Sequence, residues 1–136
     1  MIRTAERMEF LTDVVVTAIE NYGYGPWFEV CAYDSTKGRA VIEVEDDKAN
    51  RHMVDADLIA KGFGVIRSAV LRRAVGDDEC QPDVLHNVKT GQRLYLSPSN
   101  QRRIMQAYRE CDAGDLDVID ALAILECALF GAVTYA

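Results

Sequence analysis

One carboxylate stands in the middle of the most apolar stretch of the chain. Asp117-Val-Ile-Asp-Ala-Leu-Ala-Ile-Leu-Glu126-Cys-Ala-Leu-Phe-Gly131 reads as a helix. On it, Glu126 has Leu122, Ala123, Leu129 and Phe130 as its neighbours three and four residues away. A helix that is apolar nearly all round belongs in a core, and an ionised Glu there is costly unless it is paired, hydrogen-bonded or protonated. Two chemistries follow. One is a structural carboxylate that ties the helix to a polar partner. The other is a ligand-binding or catalytic carboxylate whose pKa is raised by burial. The other acid inside the helix, Asp120, lies six residues earlier, about 120° round the axis, so the two are not a same-face pair. The structural role is the expectation for Glu126 and for Asp120.

Aromatic side chains cluster at the other end of the chain. Tyr22, Tyr24, Trp27, Phe28 and Tyr33 fall within twelve residues, interleaved with Gly23, Gly25 and Pro26. Such a turn packs as a helix-to-strand corner, or it offers stacking surface to a ligand or an interface. Arg67, Arg72, Arg73, Arg102 and Arg103 supply guanidinium groups that hold phosphate if the fold gathers them, or pair with Asp77, Asp78 and Glu79 if it does not. Tyr22, Tyr24, Trp27, Tyr33, Arg67, Arg102 and Arg103 are the ligand- or partner-binding candidates. Cys31, Cys80, Cys111 and Cys127 form no CxxC pair, and Cys31 and Cys127 read as small core residues. Cys80 and His86 alone are too weak a pattern for a metal site, so neither metal nor cofactor is expected. No GxSxG, HExxH, Walker A or GxGxxG motif occurs, and an enzyme is not expected.

These residues need a scaffold. The chain has 136 residues, 49% hydrophobic and 27% charged, which suits one globular domain over residues 1–136. No apolar run reaches the length of a membrane span, and the first residues lack a signal-peptide core, so a cytoplasmic protein is the expectation. A net charge of −7 opposes general affinity for nucleic acid and admits a basic partner or an acidic mimic of DNA.

Residues 6–22 carry a helical stripe of Phe10, Leu11, Val14, Val15, Ala18 and Tyr22, with Thr4 as N-cap. Two alternating segments follow, 27–33 and 39–45, joined by the turn residues 34–38 as an antiparallel hairpin. In the first, Phe28, Val30 and Ala32 share a face; in the second, Ala40, Ile42 and Val44 do. Residues 46–51 read as a charged loop. Residues 55–74 read as a helix capped by Asp55, with Leu58, Ile59, Phe63, Ile66, Val70 and Ala74 inward. Gly62 and Gly64 inside it each cost about 1 kcal/mol relative to Ala, which points to close backbone packing or a kink. Residues 84–96 hold a third strand or a hairpin tip around Thr90-Gly91. Ser97-Pro98 opens another helix, and Asp115 or Asp117 opens the last. The pattern predicts an α+β fold, with a small antiparallel sheet of two or three strands against about four helices and the C-terminal helix central.

Two segments together resemble a family of small proteins of actinobacteriophages and actinobacterial mobile elements. Thr17-Ala-Ile-Glu20-Asn-Tyr-Gly-Tyr-Gly-Pro-Trp27 is similar to that family's TAxEGGxxYW turn. Asp120-Ala-Leu-Ala-Ile-Leu-Glu126-Cys-Ala-Leu-Phe-Gly131-Ala-Val-Thr-Tyr135 is similar to its ADxIxQxALFGxxxYG terminus, and Val54–Gly62 looks like its middle helix. The turn here is longer, Leu122 stands where Asp is usual, Glu126 stands where Gln is common, and Ala136 stands in place of Gly. The resemblance implies provenance from a phage or integrated element rather than a chemistry. The combined expectation is a small non-enzymatic accessory protein that binds a host or phage protein, with a homodimer formed through Val133 and Tyr135. The alternative is a small nucleotide or metabolite binder built on the aromatic turn and the arginines.

Overall fold

A computed structural model describes residues 3–21, 27–73 and 83–134. The fold is α+β. Helix α1 spans Ala5–Glu20, and Thr4 caps it by accepting from the Arg7 amide. A three-stranded antiparallel sheet follows: β1 (Phe28–Asp34), β2 (Arg39–Val44) and β3 (Asp47–Val54), in that spatial order. Helix α2 (Ala56–Ser68), the antiparallel pair β4 (Val70–Arg73) and β5 (Asp83–His86), helix α3 (Pro98–Glu110), a short 3-10 turn and helix α4 (Val118–Phe130) complete the chain. Among the described residues, no helix is long and apolar enough to cross a membrane.

Local chemistry sets most of these boundaries. Asp55 accepts from the Leu58 amide and Ser97 from the Asn100 amide, with Pro98 in the first turn. Asp117 and Asp120 form a reciprocal capping box at the start of α4. Gly131 ends α4 at φ +78, a left-handed position that favours glycine.

Helix α4 is the centre of the core, with every residue from Asp120 to Ala128 buried. Its closest partner is α2. A β-carbon at Gly62 would collide with the Ile124 carbonyl oxygen and come within 3.0 Å of Ile124 Cγ2 and 3.2 Å of Ala128 Cβ. Gly62 is therefore where the two helix backbones approach. Gly64 is different: a β-carbon there meets nothing within 4 Å among the described residues. Rings of Phe10, Phe63 and Tyr108 join α1, α2 and α3, with centroids 5.5 Å apart for Phe10–Phe63 and 4.9 Å for Phe63–Tyr108. The Arg7 guanidinium covers the Tyr108 ring at 3.7 Å. From the sheet, Ala40, Ile42, Val44 and Phe28 complete the core.

Four sequence expectations are corrected. Residues 46–51 are not a loop. Val44 pairs with Asp47 across a tight turn, and the polar run continues as edge strand β3, in which only Val54 is buried. The helix expected to reach residue 74 ends at Ser68, because Ala69 turns extended and the Gln101 side chain caps the Ile66 and Ala69 carbonyls at 2.8 and 3.3 Å. Val70 then pairs with His86. In β1 the register shifts between Val30 and Ala32, so Cys31 is a bulged, exposed residue rather than part of the core. The shift turns Ala32 to the outer face opposite Val41, and Tyr33 to the helix side opposite Ala40. Val133, expected at a dimer contact, is 5% exposed and donates its amide to the Leu94 carbonyl within its own chain; Tyr135 lies outside the described residues. Of the alternatives for residues 84–96, the strand forms as β5, paired with β4 rather than with the larger sheet, and it leads into a turn with Gly91 at φ +75.

Candidate functional site

A groove of about 510 Å³ opens between α2, the turn at residues 87–92 and the end of α4. Three elements build it. Residues 61, 64, 65 and 68 lie along one face of α2, at the spacing of neighbouring turns. They present Lys61, Gly64, Val65 and Ser68 to the space, with Arg67 at the margin. The apolar floor comes from the last turn of α4, through Cys127, Leu129 and Phe130. The facing wall is the turn that carries Lys89, Thr90 and Gln92.

Asn87 fixes that wall. Its side chain is buried, and its Oδ1 accepts from the Lys89 amide at 2.9 Å and the Thr90 amide at 3.3 Å. Its Nδ2 donates to the Gly131 carbonyl at 2.9 Å, which joins the wall to the C-cap of α4. Thr90 Oγ1 donates to Gln92 Oε1. The groove thus has a preformed backbone rather than three independent walls.

The electrostatics are one-sided. Lys61, Arg67 and Lys89 line the groove, and among the described residues no carboxylate does. None of the three makes a hydrogen bond or ion pair through its side chain among the described residues. Three other cations are paired: Arg3 with Asp57, Arg51 with Glu43, and Arg103 with Asp120. Arg67 sits in the last turn of α2, where a cation complements the dipole. That placement accounts for one charge and not for the convergence of three. In the floor, burial, helped by the neighbouring Glu126, pushes the Cys127 thiol up to about 12. It stays a protonated, weakly nucleophilic packing group at ordinary pH.

The residues singled out from sequence go to several places. Arg67 reaches the groove. Trp27 is buried, its ring 4.5 Å from Phe28 and 5.4 Å from Phe130, so it backs the groove floor without lining it. The Tyr33 hydroxyl donates to Glu20; burial first, then this bond, raises its pKa to about 12. Tyr22 and Tyr24 lie outside the described residues, as do Cys80, Asp77, Asp78 and Glu79. Arg102 is exposed on α3, away from the groove lining. The Arg103 guanidinium grips Asp120 with both nitrogens, at 2.6 and 2.7 Å, so it does not gather with Arg67. Glu126 is 4% exposed and accepts from the Thr134 amide at 3.2 Å, tying α4 to the chain that follows it.

Sequence reasoning missed Lys61, Lys89 and Gln92, which carry no local motif. One signal was present in Gly64, a helix-interior glycine without a packing reason. Elsewhere, the exposed carboxylates of Glu110, Asp112 and Asp115 come within 4.8 Å of one another. The Asp112 charge raises the pKa of Asp115. Asp112 already caps the 3-10 turn through the Gly114 amide, and no further observation marks the cluster as a ligand site.

No protein-family model, curated protein or solved structure matches the chain.

Proposed function

We propose that this chain is a non-enzymatic binding protein that holds a small organic anion in the groove between α2, the 87–92 turn and the end of α4. One observation carries the reading. In a chain of net charge −7, three cations unpaired among the described residues converge on a concave, apolar-floored space whose described lining has no carboxylate. Its volume falls in the range of small-ligand sites, about 300–1,000 Å³. The high pKa of Cys127 favours binding over covalent chemistry at the floor.

The test compares naphthoate with the neutral naphthamide by calorimetry. Naphthoate is expected to bind saturably and the amide to bind far more weakly. In the triple variant Lys61→Gln, Arg67→Gln, Lys89→Gln, three exposed charge contacts of about 0.5 kcal/mol each are lost, which weakens naphthoate by about tenfold. Equal affinity in the variant and the parent would sink the reading.

A second reading keeps a protein partner, a host or phage protein in the setting that the sequence resemblance implies, or a second copy of the chain. The observation favouring it is a row of apolar residues across the outer face of the sheet, Ala32 opposite Val41 opposite Met53, with Met53 54% exposed. If the row is a contact between copies, sedimentation equilibrium should find a dimer that Met53→Asp dissociates. A monomer at all concentrations removes the dimer.

A further inference from the structure

We propose that Gly64 determines what the groove accepts, namely a flat aromatic body with an anionic group at each end, lying on the bare backbone of α2. This rests on the anion-binding reading of the groove. Helix α2 contains two glycines with opposite explanations. Gly62 is required by the backbone of α4, since an added β-carbon would strike the Ile124 carbonyl oxygen. Gly64 is required by no packing contact among the described residues. Its added β-carbon enters open space, and its backbone is ordinary right-handed helix. A helix-interior glycine without such a reason lowers helix stability. What its missing side chain does change is the groove, because the residue lines that space.

The absent side chain leaves a strip of main chain beside Val65 on one wall, next to the floor formed by Leu129 and Phe130. An apolar, partly aromatic floor beside a bare helix surface suits a planar ring. The charges then fix the ends. Lys61 and Arg67 lie three residues to either side of Gly64, about 9 Å apart along the helix axis and each about 60° round the axis from it, on opposite sides. A ring laid obliquely over Gly64 has one of these cations near each end, and Lys89 lies on the facing wall. Aromatic dianions, such as aryl dicarboxylates and carboxylated aryl phosphates, have that shape and charge.

The experiment titrates the parent protein and its Gly64→Ala and Gly64→Leu variants with naphthoate and with a naphthalene dicarboxylate bearing its carboxylates at opposite ends. The dicarboxylate is expected to bind the parent at least tenfold more tightly than naphthoate. Gly64→Ala should raise Tm by about 3 °C while weakening the dicarboxylate severalfold. Gly64→Leu should abolish binding of both probes with the fold intact by circular dichroism. A folded Gly64→Leu protein with parental affinity overturns the inference, as does equal affinity of the parent for the two probes. If the triple cation variant loses binding while Gly64→Leu keeps it, the groove reading survives and this one fails. If neither variant changes binding, the groove reading itself fails.

Discussion

Gly62→Ala is expected to destabilise the protein by about 2 kcal/mol, the reverse in sign of the same substitution two residues later. The added carbon meets the main-chain oxygen of Ile124, which cannot rotate away, and Ile124 Cγ2 and Ala128 Cβ close the remaining sides. Relief requires α2 and α4 to separate, which loosens the centre of the core. Overpacking of this kind costs about 1–3 kcal/mol, and the gain of about 1 kcal/mol in helix propensity offsets only part of a contact this severe. Urea denaturation is the direct measurement. With a slope of about 2 kcal/mol per molar, the midpoint should fall by about 1 M. An unchanged midpoint would mean that α2 and α4 do not pack at this position. Because Gly64→Ala changes the same helix by the same methyl, it separates propensity from packing.

Removing the guanidinium of Arg103 should have a similar cost. Asp120 is 5% exposed and sits at the first turn of α4, where its oxygens accept from both Arg103 nitrogens and from the Asp117 amide. Arg103→Met leaves that carboxylate buried without its cation. Loss of one partner from a fully buried pair costs about 3–5 kcal/mol. Here the guanidinium is 44% exposed, so solvent screening reduces the expected loss to about 2 kcal/mol. The double variant Arg103→Met, Asp120→Asn should recover much of it, since the asparagine oxygen still accepts from the Asp117 amide.

The pH dependence of stability carries the same interaction. Burial alone would raise the Asp120 pKa, but the Arg103 bonds and the Asp117 contacts outweigh it and hold the carboxyl below its ordinary value. A carboxyl depressed by folding stabilises the native state above its unfolded pKa, about 3.9. That contribution is lost as pH falls through the lower folded pKa. The parent should therefore lose stability toward acid on this account, and the Arg103→Met variant should show a shallower acid slope. Parallel slopes in the two proteins would show that the pair does not set the Asp120 pKa.

What could be read from sequence was what local chemistry decides. Thr4, Asp55, Ser97 and Asp117 cap their helices because a side-chain oxygen meets an amide three residues away, whatever the rest of the chain does. The α+β class and the central last helix followed from periodicity for the same reason. The errors came where distant partners decide. Val70 continued the helical stripe of α2 on paper, yet Gln101 capped the helix first and β5 took Val70 into a sheet. Strand β3 had no alternating pattern to find, because its one buried side chain is Val54. The groove joins Lys61 and Arg67 to Lys89 and to the end of α4 across three separate elements, so no window of sequence contains it. Only Gly64, an uncompensated local cost, hinted at it. Tyr22 and Tyr24 of the aromatic turn lie outside the described residues.

The bulges of the larger sheet have a consequence for assembly. Its outer strands β1 and β3 pair with no other described strand on their far sides. A foreign strand seeking to extend the sheet needs an even, straight row of amides and carbonyls to template on. The misfit residue Cys31 breaks that row in β1. In β3, Asp47, Lys48 and Arg51 would be crowded against any newcomer, and a second register shift adds twist. Growth by strand addition is thus blocked on both sides. Any association through this sheet has to lie flat against its outer face, where Ala32, Val41 and Met53 stand in line.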